Sequence, residues 1–186
     1  MFDLDRFVAD CRAALREKPA QRAVRETVAQ AVADPAAAIG ALGEPKRGEI
    51  VKLHQSADLT VINVVWAPHF MVMPHNHKMW VVIGVYTGRE DNLFWRRVKG
   101  APSGRIEAAS AQALGAKDAV LLGRDIIHSV VNPIPRLSGA IHVYGGDFFA
   151  QPRSEWDSET LCEGPFDPQR QMRRFEEANA LNARTR

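Results

Sequence analysis

Hydrophobic spacing divides the chain into three regions. Leu4, Phe7, Val8, Cys11, Ala14 and Leu15 recur at intervals of three and four, so the spacing predicts an amphipathic helix with charges on its opposite face. A second helix is expected from near Pro19, which suits a first-turn position, through Val24, Val28 and Val32 to a stop at Asp34-Pro35. Residues 1–45 therefore read as a helical cap packed on something larger. From about Gly48 the pattern changes to short β-rich runs punctuated by Gly, Pro, Asn and Asp. These predict strands near Ile50–His54, Leu59–Trp66, Phe70–His77, Met79–Tyr86, Leu93–Val98, Arg105–Ala108, Ala119–Leu122, Ile126–Val131 and Leu137–Tyr144. Regular strand spacing without intervening helices argues for a mainly β, antiparallel sandwich or barrel over residues 48–150. Residues 151–186 read as a polar and aromatic loop, Gln151–Phe166, followed by an exposed, charged helix capped by Asp167, opened by Pro168 and running to about Ala180.

Composition narrows the class. A chain of 186 residues, 46% of them apolar, can bury one good-sized core and is most simply one domain, 1–186. The net charge is +2 and no basic stripe extends beyond pairs such as Arg96-Arg97 and Arg173-Arg174, which argues against a nucleic-acid partner. No apolar segment reaches membrane-spanning length, and Met1–Asp5 carries no basic segment ahead of an apolar one, so a soluble cytoplasmic protein without a membrane partner is expected. Cys11 and Cys162 have no CxxC or framework spacing, implying neither a disulfide nor a thiolate metal site.

The chemistry concentrates in the run from Pro74 to Gly88. Side chains alternate faces along a strand, so His75 and His77 point the same way, about 6.5–7 Å apart along the backbone. Two imidazoles so placed can converge on one metal ion, but a pair alone is incomplete. His128, on an apolar strand after the turn at Gly123, is the candidate third ligand; a satisfied core histidine is the competing reading. His69, after Ala67-Pro68, reads as a turn residue, and Met71 and Met73 read as core. Glu90, within Gly88–Asn92, reads most simply as part of a charged hairpin, and it is also the nearest carboxylate that could serve as a ligand.

Two segments together resemble the paired motifs of the cupin family. His75-x-His77 with Gly88, and His128-x-x-x-Asn132, match its ligand and turn positions. The family's acidic ligand position falls on Val81, and Gly123 sits further from the histidine than is usual. Absence of the acid resembles the thiol dioxygenase branch, the cysteine and 3-mercaptopropionate dioxygenases, which hold iron with three histidines. His142-Val143-Tyr144 is similar to the Ser-x-His-x-Tyr relay of that branch, with Ala140 where the serine would stand, and Trp66 matches a family tryptophan. Val81 also excludes the cysteine–tyrosine cross-link of the animal enzymes. Arg153, nine residues after Tyr144, resembles the carboxylate-binding arginine of the bacterial mercaptopropionate enzymes, and an exposed loop arginine is the equal alternative.

The resemblance implies a double-stranded β-helix (jelly-roll) barrel with Fe(II) on His75, His77 and His128. It also implies a small thiol and O2 as partners and His142 and Tyr144 in catalysis, with Tyr144 as a hydrogen-bond donor. Trp66 and Arg153 would then bind substrate. Two other functions stay open: a metal-holding sensor or binding module without turnover, and a three-histidine iron dioxygenase acting on a non-thiol chelator such as a β-diketone. The native metal is not fixed by three imidazoles, and a homodimer packed through the helical cap is one arrangement the sequence leaves open.

Overall fold

A computed structural model describes residues 2–184. The chain opens with helices α1 (Leu4–Ala14), α2 (Ala20–Val32) and α3 (Pro35–Leu42). Strands β1 (Glu49–Gln55), β2 (Thr60–Trp66), β3 (Met71–Asn76), β4 (Val81–Thr87), β5 (Arg89–Arg97) and β6 (Ile106–Gly115) follow. Then come β7 (Ala119–Leu122), β8 (Ile127–Val131), β9 (Ser138–Tyr144), β10 (Ser154–Trp156), β11 (Glu163–Pro165) and helix α4 (Pro168–Arg184). One sheet has the order β1-β2-β9-β4-β7 and the other β11-β10-β3-β8-β5-β6, with antiparallel pairing in both. The strands β2-β9-β4-β7 against β3-β8-β5-β6 form a jelly roll: the chain leaves one sheet and returns to the other along interleaved strands, giving a double-stranded β-helix barrel. Among the described residues no helix is long and apolar enough to cross a membrane.

Alternation along β2, β4 and β9 sorts side chains into two cores. Ile62, Val64, Val81, Ile83, Val85 and Ala140 point into the barrel with Val72, Leu114 and Val130. The opposite face of the same strands, through Val61, Val82, Ile141 and Val143, packs under Phe7, Cys11, Val24, Val28 and Val32 of α1 and α2. Strands covered on both faces read as nearly continuous apolar runs, which accounts for the uniform burial of Thr60–Trp66 and Ser138–Tyr144. The helical cap therefore lies on the outside of the five-stranded sheet and leaves the barrel interior to the strands.

Five sequence expectations are corrected. The second helix ends before Asp34-Pro35 as expected, but the cap holds a third helix beyond the two predicted: Pro35 opens α3, and the Asp34 carboxylate accepts from the Ala37 amide at 3.1 Å. Strand β6 reaches Gly115 because its middle, Ala108–Ala113, is a solvent-facing edge whose Ala, Ser and Gln carry no hydrophobic alternation. The Gln151–Phe166 loop contains the β10–β11 hairpin, which extends the six-stranded sheet beside β3. Helix α4 is not wholly exposed: Phe175 is buried, 5.7 Å from the Trp66 ring and 4.7 Å from Phe70. Met71, expected in the core, is 45% exposed.

Candidate metal centre

His75 and His128 come from adjacent strands, directly opposite one another in the β3–β8 pairing. The register of β3 shifts between Val72 and His75, the stretch that contains Pro74, whose missing amide proton suits an irregular ladder. His77 lies just beyond β3, where Lys78 turns the chain with a φ of 58°. All three imidazoles are buried, and one ring nitrogen of each lies within 4.8 Å of the others. The His77 Nε2 is 3.1 Å from that of His75 and 3.4 Å from that of His128.

Hydrogen bonds settle which nitrogens carry protons. His75 Nδ1 faces the Met73 carbonyl at 2.9 Å, so it donates and leaves Nε2 as a lone pair. His128 Nδ1 faces Asn92 Oδ1 at 2.6 Å, with the same consequence. Burial pushes the His75 imidazole down to about 4 and holds His77 and His128 well below the ordinary histidine range, so all three rings are neutral at pH 7. Neighbouring imidazoles and the Arg153 charge add to the depression of His77. Lone pairs converging at this spacing repel unless a cation stands between them, and the donor set fits a divalent ion that accepts neutral imidazole. The position of the absent acid, Val81, points into the barrel as hydrocarbon.

The opposite sheet supplies His142, Tyr144 and Trp66, whereas Arg153 lies directly before β10 of the histidines' own sheet. His142 and Tyr144 point inward from β9, and His142 Nδ1 lies 3.2 Å from the Tyr144 hydroxyl. The Tyr144 ring stands nearly perpendicular to His77, centroids 5.1 Å apart, and burial lifts its hydroxyl far above the usual phenol range. Trp66 lines the same cavity, but its indole N–H is committed to Glu90 at 2.7 Å. Arg153 is not an exposed loop residue. Its guanidinium lies 3.7 Å above the Phe148 ring and 4.2 Å from Phe166, donates to the Phe148 carbonyl at 3.2 Å, and has no carboxylate partner among the described residues. Burial brings it down to about 10, still fully charged at neutral pH. These side chains and the three histidines line one cavity of about 300 Å³ whose remaining walls are apolar except for Gln171.

Glu90 departs furthest from its expected place. Strand β5 begins directly after Gly88, whose φ of 76° and close approach to Ser138 leave no room for a Cβ. Glu90 and Asn92 consequently face inward, fully buried, rather than standing in a charged hairpin. The three-histidine cluster does not include Glu90. Its Oε1 accepts from Asn92 Nδ2 at 3.2 Å, and its Oε2 from Trp66 Nε1 and from His142 Nε2, also at 3.2 Å. Burial alone would raise this carboxyl, but the His142 ring and these hydrogen bonds hold it below the usual range. A signal for it existed in the alternation Glu90, Asn92, Phe94, inward by parity with the paired strand β8. Asn132 serves the architecture instead: its Nδ2 donates to the carbonyls of Trp66, Ala67 and Arg136, and its Oδ1 accepts from Ser138. Asn76, between the two histidines, is buried and accepts from the Ser154 amide at 3.0 Å.

No protein-family model matches the chain. Among solved structures it is similar to an RmlC-like cupin family protein with a double-stranded β-helix fold from Methanocaldococcus jannaschii, at 10% identity and a TM-score of 0.47 over 57% of this chain and 87% of that one. It is similar also to a cupin superfamily protein from Desulfitobacterium hafniense, at 13% identity and a TM-score of 0.44 over 57% of this chain and 85% of that one. A variant of Bacillus subtilis oxalate decarboxylase aligns at 16% identity and a TM-score of 0.42, over 57% of this chain and 28% of that one. The assignment of the double-stranded β-helix barrel rests on the strand order and pairing of the chain itself.

Proposed function

We propose that the chain is a mononuclear non-haem iron dioxygenase that converts a small thiol carboxylate to its sulfinate. The observation that carries this reading is the combination of three neutral imidazoles, without a carboxylate ligand, and a half-buried guanidinium with no carboxylate partner among the described residues, in the same cavity. Fe(II) held there would supply binding of sulfur as thiolate and activation of O2, since an ion with only neutral ligands keeps its double charge and favours a deprotonated ligand. The net reaction, RSH + O2 giving RSO2⁻ + H⁺, places both oxygen atoms on sulfur. Sulfur loses the four electrons that O2 gains, so no external reductant is needed.

The protein residues divide the remaining work. Arg153 can take a carboxylate in bidentate fashion, and its sandwich between Phe148 and Phe166 fixes the plane of the fork. Among the described lining residues no acidic side chain faces the cavity to receive an ammonium group, which favours 3-mercaptopropionate over cysteine or cysteamine. Apolar walls exclude water around the sulfur, and the His142–Tyr144 pair provides a polar group beside the ligand histidines. The test is to load the protein anaerobically with Fe(II), admit air with each of the three thiols, and follow oxygen uptake and sulfinate. Uptake greatest with 3-mercaptopropionate is expected. No uptake with any thiol, together with tight retention of zinc, would overturn the reading in favour of a metal-holding module.

A further inference from the structure

Every polar group that touches the Glu90 carboxylate leads to the candidate centre. Asn92 Nδ2 donates to it at 3.2 Å, and because a carboxylate only accepts, this orientation turns Asn92 Oδ1 toward His128 Nδ1, 2.6 Å away. On the other side His142 Nε2 faces Glu90 Oε2 at 3.2 Å and so carries its proton there, which leaves Nδ1 as the acceptor for the Tyr144 hydroxyl. Trp66 holds Oε2 from a third direction at 2.7 Å. Glu90 and Asn92 belong to the six-stranded sheet and Trp66, His142 and Tyr144 to the other, so this carboxylate ties the two walls of the barrel together. An isolated buried charge is costly, and its retention among three donors calls for a role beyond packing.

We propose that Glu90 is a positioning residue with two arms. Through Asn92 it holds His128 with the Nε2 lone pair turned to the other two imidazoles; through His142 it draws the Tyr144 hydroxyl proton away from the cavity. The negative charge that the ligand set lacks thus sits two hydrogen bonds behind it. The Tyr144 oxygen, rather than its proton, is then the face offered to the cavity, as a hydrogen-bond acceptor, where the sequence motif suggests a donor. The metal arm rests on the function proposed above, whereas the tyrosine arm does not.

Long-range ¹H–¹⁵N spectra of the six histidines in the full-length, metal-free chain test both arms. His142 is expected protonated on Nε2 only and His128 on Nδ1 only. In Glu90→Gln, whose amide can also donate, His142 should become a mixture of tautomers, and Zn(II) affinity measured by chelator competition should fall about 10–100-fold. A wild-type His142 protonated on Nδ1 overturns the proposal, as does a Glu90→Gln chain with unchanged tautomers and Zn(II) affinity. Should the variant fail to fold, the wild-type spectrum decides. Should the wild-type chain take up no Zn(II), the metal-centre reading fails while the tautomers still judge Glu90.

Discussion

A guanidinium held between two phenyl rings, with no carboxylate beside it among the described residues, is a residue prepared for an anion. Replacing Arg153 with Ala is expected to raise the KM for 3-mercaptopropionate about 10–100-fold, as loss of a charge-assisted hydrogen-bond pair would, while metal content stays that of the wild type. Unchanged KM would return Arg153 to a packing role. The neutral imidazoles set a second prediction. Folding holds His75, His77 and His128 below the 6.5 of an unfolded histidine, so the unfolded chain binds protons that the folded one refuses as pH falls. Stability of the metal-free protein should therefore drop between pH 6.5 and about 4, where His75 titrates, by up to about 1.4 kcal/mol per pH unit for each ring that stays neutral. Denaturant midpoints across this window check it, and a midpoint that rises on acidification contradicts it. The histidines were legible at this scale because a two-residue spacing on a strand fixes their common side. Glu90 was not: a single acid between Arg89 and Asp91 looks solvated until the exact start of the strand decides its parity.

At the scale of elements, hydrophobic patterning distinguished helix from strand wherever an element has at least one covered face, and failed where both faces are wet. Strand β6 is nearly all solvent-facing and was predicted only over its start, Arg105–Ala108, whereas β2 and β9, covered on both sides, were unmistakable as apolar runs. The sequence also left open where the N-terminal helices sit. Gly84 on β4 answers this, since a Cβ there would come 2.4 Å from Val28 Cγ1 and 3.0 Å from Val32 Cγ1 of α2. Gly84→Ala is expected to destabilise the fold by about 1–3 kcal/mol through overpacking, seen as a lower denaturation midpoint. Metal affinity should survive in the folded fraction, because the helices cover the face of the sheet turned away from the histidines. A loss of metal affinity at unchanged stability would place the helices in the site after all. On the opposite flank, α4 brings Phe175 onto Trp66 and Phe70, where the sequence suggested only a charged, exposed helix.

For the whole molecule, the barrel places the three clustered histidines at one sheet and the His142–Tyr144 pair on the other, with the cavity between them. The motifs conveyed that these residues meet, because residues far apart in sequence were matched to strands of one barrel, but not that they face each other from opposite sheets. They did not convey the buried carboxylate network joining the walls, which exists only once both sheets are in place. The claim on which the account rests is that three neutral imidazoles hold a divalent ion that accepts a thiolate. X-ray absorption on the zinc-loaded protein, with and without 3-mercaptopropionate, tests this most directly because zinc does not consume the thiol. The account predicts a nitrogen shell alone before addition and a new sulfur scatterer at about 2.3 Å after it. An unchanged spectrum, with no sulfur at the metal, would contradict it.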